Sequence, residues 1–128
     1  MTKPKTIRLG DLQLSIMKVL WEAGEASVAH VHTALGGSDK FAYTTVATML
    51  RKMEGRGLVA HREEGRSYLF RAKIGADAVS RSMADHLVDR LFEGSLATAV
   101  NHLLSTREVS ESELREIERL VAKRRKEL

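Results

Sequence analysis

Between Ala42 and Phe70 the chain switches from a helical period to a strand period, and few small folds accept that order with these residues. From Tyr43 to Arg56, at about 100° per residue, Val46, Met49, Leu50 and Met53 fall on one side. Thr44, Thr45, Thr48, Arg51 and Lys52 fall on the other. Threonine is a mediocre helix former, so three on one outward flank are not there to stabilise the helix. Short hydroxyl and methyl groups suit close approach to base edges and phosphates, and arginine matches guanine. A plain solvated flank is the competing reading of the same stripe. Gly57 ends the helix, and Leu58 to Glu63 and Ser67 to Arg71 then read as two strands about a Glu64-Gly65-Arg66 turn. Arg62, Arg66, Arg71 and Lys73 give this hairpin a positive rim. A lone two-stranded hairpin is marginal, so Tyr68 and Phe70 or Leu69 are expected to pack on the helices. A helix followed by a basic hairpin is what a winged helix-turn-helix needs: the helix enters the major groove and the wing lies beside it.

The upstream residues supply the remaining helices. Leu12, Ile16, Val19, Leu20 and Ala23 form one apolar face, with Asp11 as the expected N-cap and Gly24 as the stop. Trp21 is expected in the core or at its edge. Ser27 caps a short helix striped by Val28, Val31 and Leu35, which closes at Gly36-Gly37. Ser38-Asp39-Lys40 reads as the connecting turn. Besides the groove-facing Thr44, Thr45, Thr48 and Arg51, the candidates for backbone phosphate contacts are Ser27, Lys40, Tyr43, Arg62 and Arg66. Such contacts fix register without reading sequence.

Charge supports the division. Residues 1–73 hold 12 basic against 7 acidic residues, or +5, whereas residues 74–128 hold 9 against 10, or −1. The positive half is the half that carries the threonine-lined helix, as a polyanion-binding domain requires. We therefore divide the chain into a winged-helix domain, 1–73, and a helical region, 74–128. The fold class expected is mainly α with a small β-hairpin wing.

In the second region Val79, Met83, Leu87 and Leu91 repeat at fourfold spacing with Phe92 nearby, and Gly94-Ser95 marks a break. Leu96, Val100, Leu103 and Leu104 continue on another helix. Ser110-Glu111-Ser112-Glu113 is a capping box flanked by a Val109/Leu114 staple. Leu114, Ile117, Leu120 and Val121 make the last stripe, and Lys123-Arg124-Arg125-Lys126 suits the negative end of that helix. Three short helices beyond a complete winged domain have little of their own to bury. Pairing with a second copy answers that, through Val79, Met83, Leu87, Leu91, Leu96, Val100, Leu104, Leu114, Ile117 and Val121. Folding back on the winged domain is the alternative.

Catalytic patterns are missing from the sequence. There is no phosphate-cradling glycine loop, nucleophile elbow or HExxH pair, and the five histidines are scattered. Zero cysteines exclude disulfides and thiolate metal sites and suit a reducing cytosol. Neither a signal peptide nor an apolar run of membrane-spanning length is present, so a cytoplasmic, membrane-free protein without cofactor or metal is expected. Two other functions fit a winged helix: a regulator that takes a small molecule near Phe92 and Leu96, or a protein-interaction module without DNA.

Leu-Ser-Ile-Met-Lys-Val-Leu-Trp at 14–21, Ala-Tyr-Thr-Thr-Val-Ala-Thr-Met-Leu at 42–50, Gly-Leu-Val at 57–59 and Glu-Gly-Arg-Ser-Tyr at 64–68 together resemble the BlaI/MecI family of penicillinase and methicillin-resistance repressors. Glu-Val-Ser-Glu-Ser-Glu-Leu at 108–114 extends the likeness to the helical tail. The resemblance implies a homodimeric repressor on an inverted-repeat operator in double-stranded DNA. It also implies release by a membrane metalloprotease sensor that cuts within the dimerisation helices. Well-known members are cut at an Asn-Phe bond; the corresponding pair here is Asn101-His102, where the first residue matches and the second does not. The cysteine motif of copper-responsive relatives is absent.

Overall fold

A computed structural model describes residues 7–128; the basic stretch 1–6 lies outside the described residues. Helix α1, Asp11–Ala23, buries Ile16, Met17 and Leu20. Its N-cap is Gly10 rather than Asp11, which instead opens the helix, where a carboxylate complements the positive end of the helix dipole. The Gly10 amide donates to Gln13 Oε1 at 3.1 Å, the side chain reaching back from the first turn to satisfy the N-cap residue's own amide. Strand β1, Ala26–Ser27, leads into helix α2, Val28–Ala34, where Ser27 Oγ accepts the His30 amide at 3.0 Å. A single 3₁₀ turn, Gly37–Asp39, joins α2 to helix α3, Tyr43–Gly55. The turn needs glycine at 36: φ is 109°, and a Cβ there would come within 2.6 Å of Lys40 Cγ.

Strands β2, Val59–Glu64, and β3, Ser67–Ala72, form the wing. They pair Glu64 with Ser67, leaving Gly65-Arg66 as a two-residue turn. Positive φ falls only on its first central residue, Gly65, as in type II′ turns that match hairpin twist. The expected two-stranded wing is in fact a three-stranded antiparallel sheet, ordered β1-β3-β2. Ala26 pairs with Phe70, and Ser27 with Leu69, so the start of α2 is stitched to the wing. Phe70 is 2% exposed and belongs to the core with Val46, Leu50, Met53, Val31 and Ile16. Tyr68, expected to pack on the helices, lies on the same face of β3 two residues nearer the turn, yet remains 49% exposed, its ring 4.4 Å from that of His61. At its free end the hairpin has left the helices behind, so the same face is core at 70 and solvent at 68.

Helix α4, Ala76–Phe92, contains the largest departure from expectation. The first compact unit extends to His86, and the second comprises Leu87–Leu128. The boundary placed at residue 73 therefore falls inside the first unit. Val79 is 1% exposed within the winged-helix core, and Met83 packs partly buried against it. Trp21 Nε1 donates to the Ile74 carbonyl at 2.9 Å, and the Ile7 amide donates to Ser82 Oγ at 2.7 Å. The start of α4 is thus tied down at several points. Val79 and Met83 were expected at a dimer contact; their apolar stripe is satisfied by their own domain instead.

The break between α4 and helix α5, Leu96–Thr106, is a left-handed corner at Glu93 (φ 51°) and Gly94 (φ 80°). Ser95 Oγ then caps α5 by accepting the Thr98 amide. Helix α6, Glu111–Lys126, starts at Ser110, whose Oγ accepts the Glu113 amide at 3.1 Å. No helix among the described residues is long and apolar enough to cross a membrane.

Candidate nucleic-acid interface

Helix α3 is held at both ends and left bare along its outer flank. At its N-terminal end, His32 Nε2–H donates to the Phe41 carbonyl at 2.8 Å, and the His32 ring meets Tyr43 edge-on at 5.6 Å. At its C-terminal end, Arg56 donates to Gln13 Oε1 at 3.2 Å and to the Arg8 carbonyl at 3.1 Å. Gln13 Nε2 in turn donates to Met49 Sδ at 3.4 Å. Glu54 joins the same end to the wing: one carboxylate oxygen accepts the His61 amide at 3.0 Å, and both lie within 2.8 Å of His61 Nδ1. Val46, Leu50 and Met53 fix the inner flank in the core.

What remains is the outer flank. Thr44, Thr45, Thr48, Arg51 and Lys52 are all exposed. Thr44, Thr45, Thr48 and Lys52 line one shallow concavity with Met49. Arg51 makes no ion pair among the described residues, nor do Lys40, Lys52 or Arg66. The N-cap of α3 is Ala42, which has no side-chain acceptor; the Thr45 amide turns back to the Ala42 carbonyl at 3.0 Å, and the Tyr43 and Thr44 amides have no side-chain cap. Uncapped amides beside unpaired cations suit an anion. A second open concavity, lined by Ser27, Tyr43, Arg66 and Tyr68, runs from the helix starts to the wing tip. Five of the predicted contacts (Thr44, Thr45, Thr48, Arg51 and Tyr43) thus sit on α3, and Ser27 and Arg66 flank it. Lys40 is exposed on the turn before it.

Arg62 is the exception. Its Nε donates to Glu25 Oε2 at 2.8 Å and its Nη2 to Glu25 Oε1 at 3.0 Å, while Glu64 Oε2 lies 2.9 Å from Nη2. The Arg62 guanidinium hydrogen-bonded to Glu25 holds that carboxyl below the usual carboxylate range. Arg62 was expected to contact phosphate, but its fork is already filled by two carboxylates. Nothing local in the sequence announces the pair, which is 37 residues apart and meets because β1 lies alongside β3. Gln13, Glu54 and His61 escape a sequence reading for the same reason.

In the second unit Leu87, Leu91, Leu96, Val100, Leu104 and Val121 are exposed, along with Leu103 and Leu120. Leu114 and Ile117 are half-buried. Asn101 and His102 lie in mid-α5, exposed, with their carbonyls accepting from Ser105 and Thr106 hydroxyls. The His102 ring sits 5.6 Å from Phe92. Among the described residues no three His, Asp or Glu side chains come together in a way that would hold a metal ion.

The sequence profile of the penicillinase repressor family matches residues 9–123. The transcriptional regulator BlaI of Mycobacterium tuberculosis (strain CDC 1551 / Oshkosh) is 34% identical over 102 residues, 78% of this chain and 74% of that protein. The penicillinase repressor of Bacillus licheniformis is 24% identical over 113 residues, covering 88% of each. Among solved structures, the DNA-binding domain of the repressor BlaI matches with a TM-score of 0.50 at 26% identity, over 58% of this chain and 90% of that one.

Proposed function

This chain belongs to the penicillinase repressor family of DNA-binding transcriptional repressors, which are not enzymes, and we propose that it acts as a homodimer that reads an inverted-repeat operator with α3. The carrying observation is the outer flank of α3: three threonines and an unpaired arginine, braced from behind and open in front. Thr44, Thr45, Thr48 and Arg51 address base edges, and Ser27, Lys40, Tyr43 and Arg66 address phosphates. Two such helices in a symmetric dimer meet half-sites about one helical turn apart, or a multiple of that. The exposed leucines of α4 to α6 support pairing, because each, 39–69% exposed, forgoes part of the roughly 1.5–3 kcal/mol that complete burial of such a side chain contributes.

The test is footprinting on the DNA upstream of the protein's own coding sequence. A protected, two-fold symmetric site is expected; protection of nothing, or binding that vanishes at moderate salt on every fragment, overturns the proposal. Two substitutions then sort the contacts. Arg51→Ala is expected to weaken operator binding by about 1–3 kcal/mol and to relax preference at one operator position. An equal loss on all sequences would reassign Arg51 to a phosphate. Arg66→Ala is expected to weaken binding alike on all sequences and to flatten the slope of log affinity against log salt by about 0.9. An unchanged slope removes the wing tip from the interface.

Release by a membrane metalloprotease that cuts at Asn101-His102 is the family-derived part of the proposal. That bond lies within α5, with side-chain hydroxyls bonded to both carbonyls. Cutting there requires α5 to unwind first, so dimer-bound α5 should be cut more slowly than the free chain.

A further inference from the structure

The wing has three arginines, and the structure spends them unequally. Arg66 at the tip has no ion pair among the described residues, whereas Arg62 is filled by Glu25 and Glu64. Ser27, Leu69 and Arg62 lie in one row across the sheet, because Leu69 pairs with both of the others. Arg62 is therefore level with Ser27, the N-cap of α2, which lines the concavity running to Arg66. Its guanidinium is half-exposed in its pair with Glu25, so solvent and solutes reach it. The geometry is the two-pronged one that guanidinium groups use for carboxylate and phosphate alike.

We infer that Glu25 is an intramolecular stand-in for a DNA phosphate: it occupies Arg62 and thereby limits how many phosphates the wing neutralises. The inference rests on the DNA-binding reading above and adds a residue that sets baseline affinity. A backbone contact carries no sequence information, so releasing Arg62 raises affinity for operator and for unrelated DNA by the same factor. The cost of that gain falls on function. A repressor held more tightly by bulk DNA has fewer free copies for its operator, since competing sites vastly outnumber it. In this view Glu25 keeps unspecific binding weak without touching the α3 surface that reads bases. Glu64, the second carboxylate on Arg62, sits within the wing itself and holds only one nitrogen, so Glu25 is the dominant lock.

The experiment measures salt-dependent binding of the full chain to a random-sequence duplex and to the duplex upstream of its own coding sequence. Glu25→Gln removes the charge and leaves the side chain's shape. It is expected to raise affinity about three- to tenfold on both duplexes and to steepen the salt slope by about 0.9, one further phosphate. The double variant Glu25→Gln/Arg62→Ala is expected to lose that gain. Glu22→Gln removes an equal charge from exposed α1, where no ion pair forms among the described residues, and reads the bare charge effect. An E25Q slope equal to wild type overturns the inference, as does weaker binding, which would make the pair a brace for the wing. A gain matched by E22Q, or one surviving in the double variant, also overturns it. If the wild type binds neither duplex, the DNA-binding reading fails and takes this one with it; if it binds and E25Q does not differ, only Glu25 loses its role.

Discussion

Phe70→Ala should unfold the winged-helix domain at much lower urea than the wild type, at a cost of about 3–5 kcal/mol. Against a total stability on the order of 5–15 kcal/mol for a domain of this kind, that is enough to leave a large fraction unfolded on mild warming. The ring is the point where all three strands meet the helices. Phe70 pairs with Ala26 on β1 and His61 on β2, and its side chain lies in the cluster containing Ile16, Val31, Val46 and Leu50. Removing it leaves a cavity under the sheet and loosens β1, on which the start of α2 depends. Tyr68→Ala is the informative contrast. That ring is half-exposed against His61, so its loss should cost about 1 kcal/mol, the scale of a single aromatic pair. Urea denaturation of both variants checks the ratio. Equal losses at 68 and 70 would mean that the sheet is not seated on the core through Phe70.

Periodicity made α3 legible because everything it needs is local: three and four residues along a helix return to the same face, and both flanks of α3 declare themselves within fourteen residues. The caps at Ser27 and Ser110 were legible for the same reason. Strand β1 was not, because two residues carry no alternation, and so the third strand of the sheet went unseen. Arg62 illustrates a second kind of loss. Its charge was plain, but its partner lies in a segment that becomes a neighbour only after the sheet forms, so a cation counted as free was already taken. Val79 and Met83 illustrate a third. An amphipathic stripe says that one face will be buried without saying against what. The stripe running from Val79 to Leu91 reads as continuous in sequence, yet its first two members go into the winged-helix core and its last two remain exposed. The exposed flank of α3 was more legible than its surroundings, since exposure there follows from period and residue type, whereas the braces behind it are set by tertiary contacts.

Leu91→Arg/Leu96→Arg is expected to turn the protein into a folded monomer of 14.3 kDa that binds a two-half-site operator about 10²–10⁴-fold more weakly. Leu91 is 69% exposed and Leu96 68%, more than any other large apolar side chain among the described residues except Leu128. Neither holds its own chain together, so arginine at these positions should leave helical circular dichroism unchanged, as surface substitutions do. In a dimer, however, both would carry a charge into an apolar contact, where an unpaired charge is costly. Arginine is the chosen replacement because any attraction it adds to DNA opposes the expected loss. The affinity falls because two linked half-sites become two separate bimolecular events, and the gain from linkage is forfeited without any change at α3. Binding to a single half-site duplex should accordingly match wild type, and sedimentation should report one copy at concentrations where the wild type reports two. A double variant that still sediments as a dimer would move the pairing surface to the α6 stripe of Leu120 and Val121. One that is monomeric yet binds the full operator normally would separate operator recognition from dimerisation altogether.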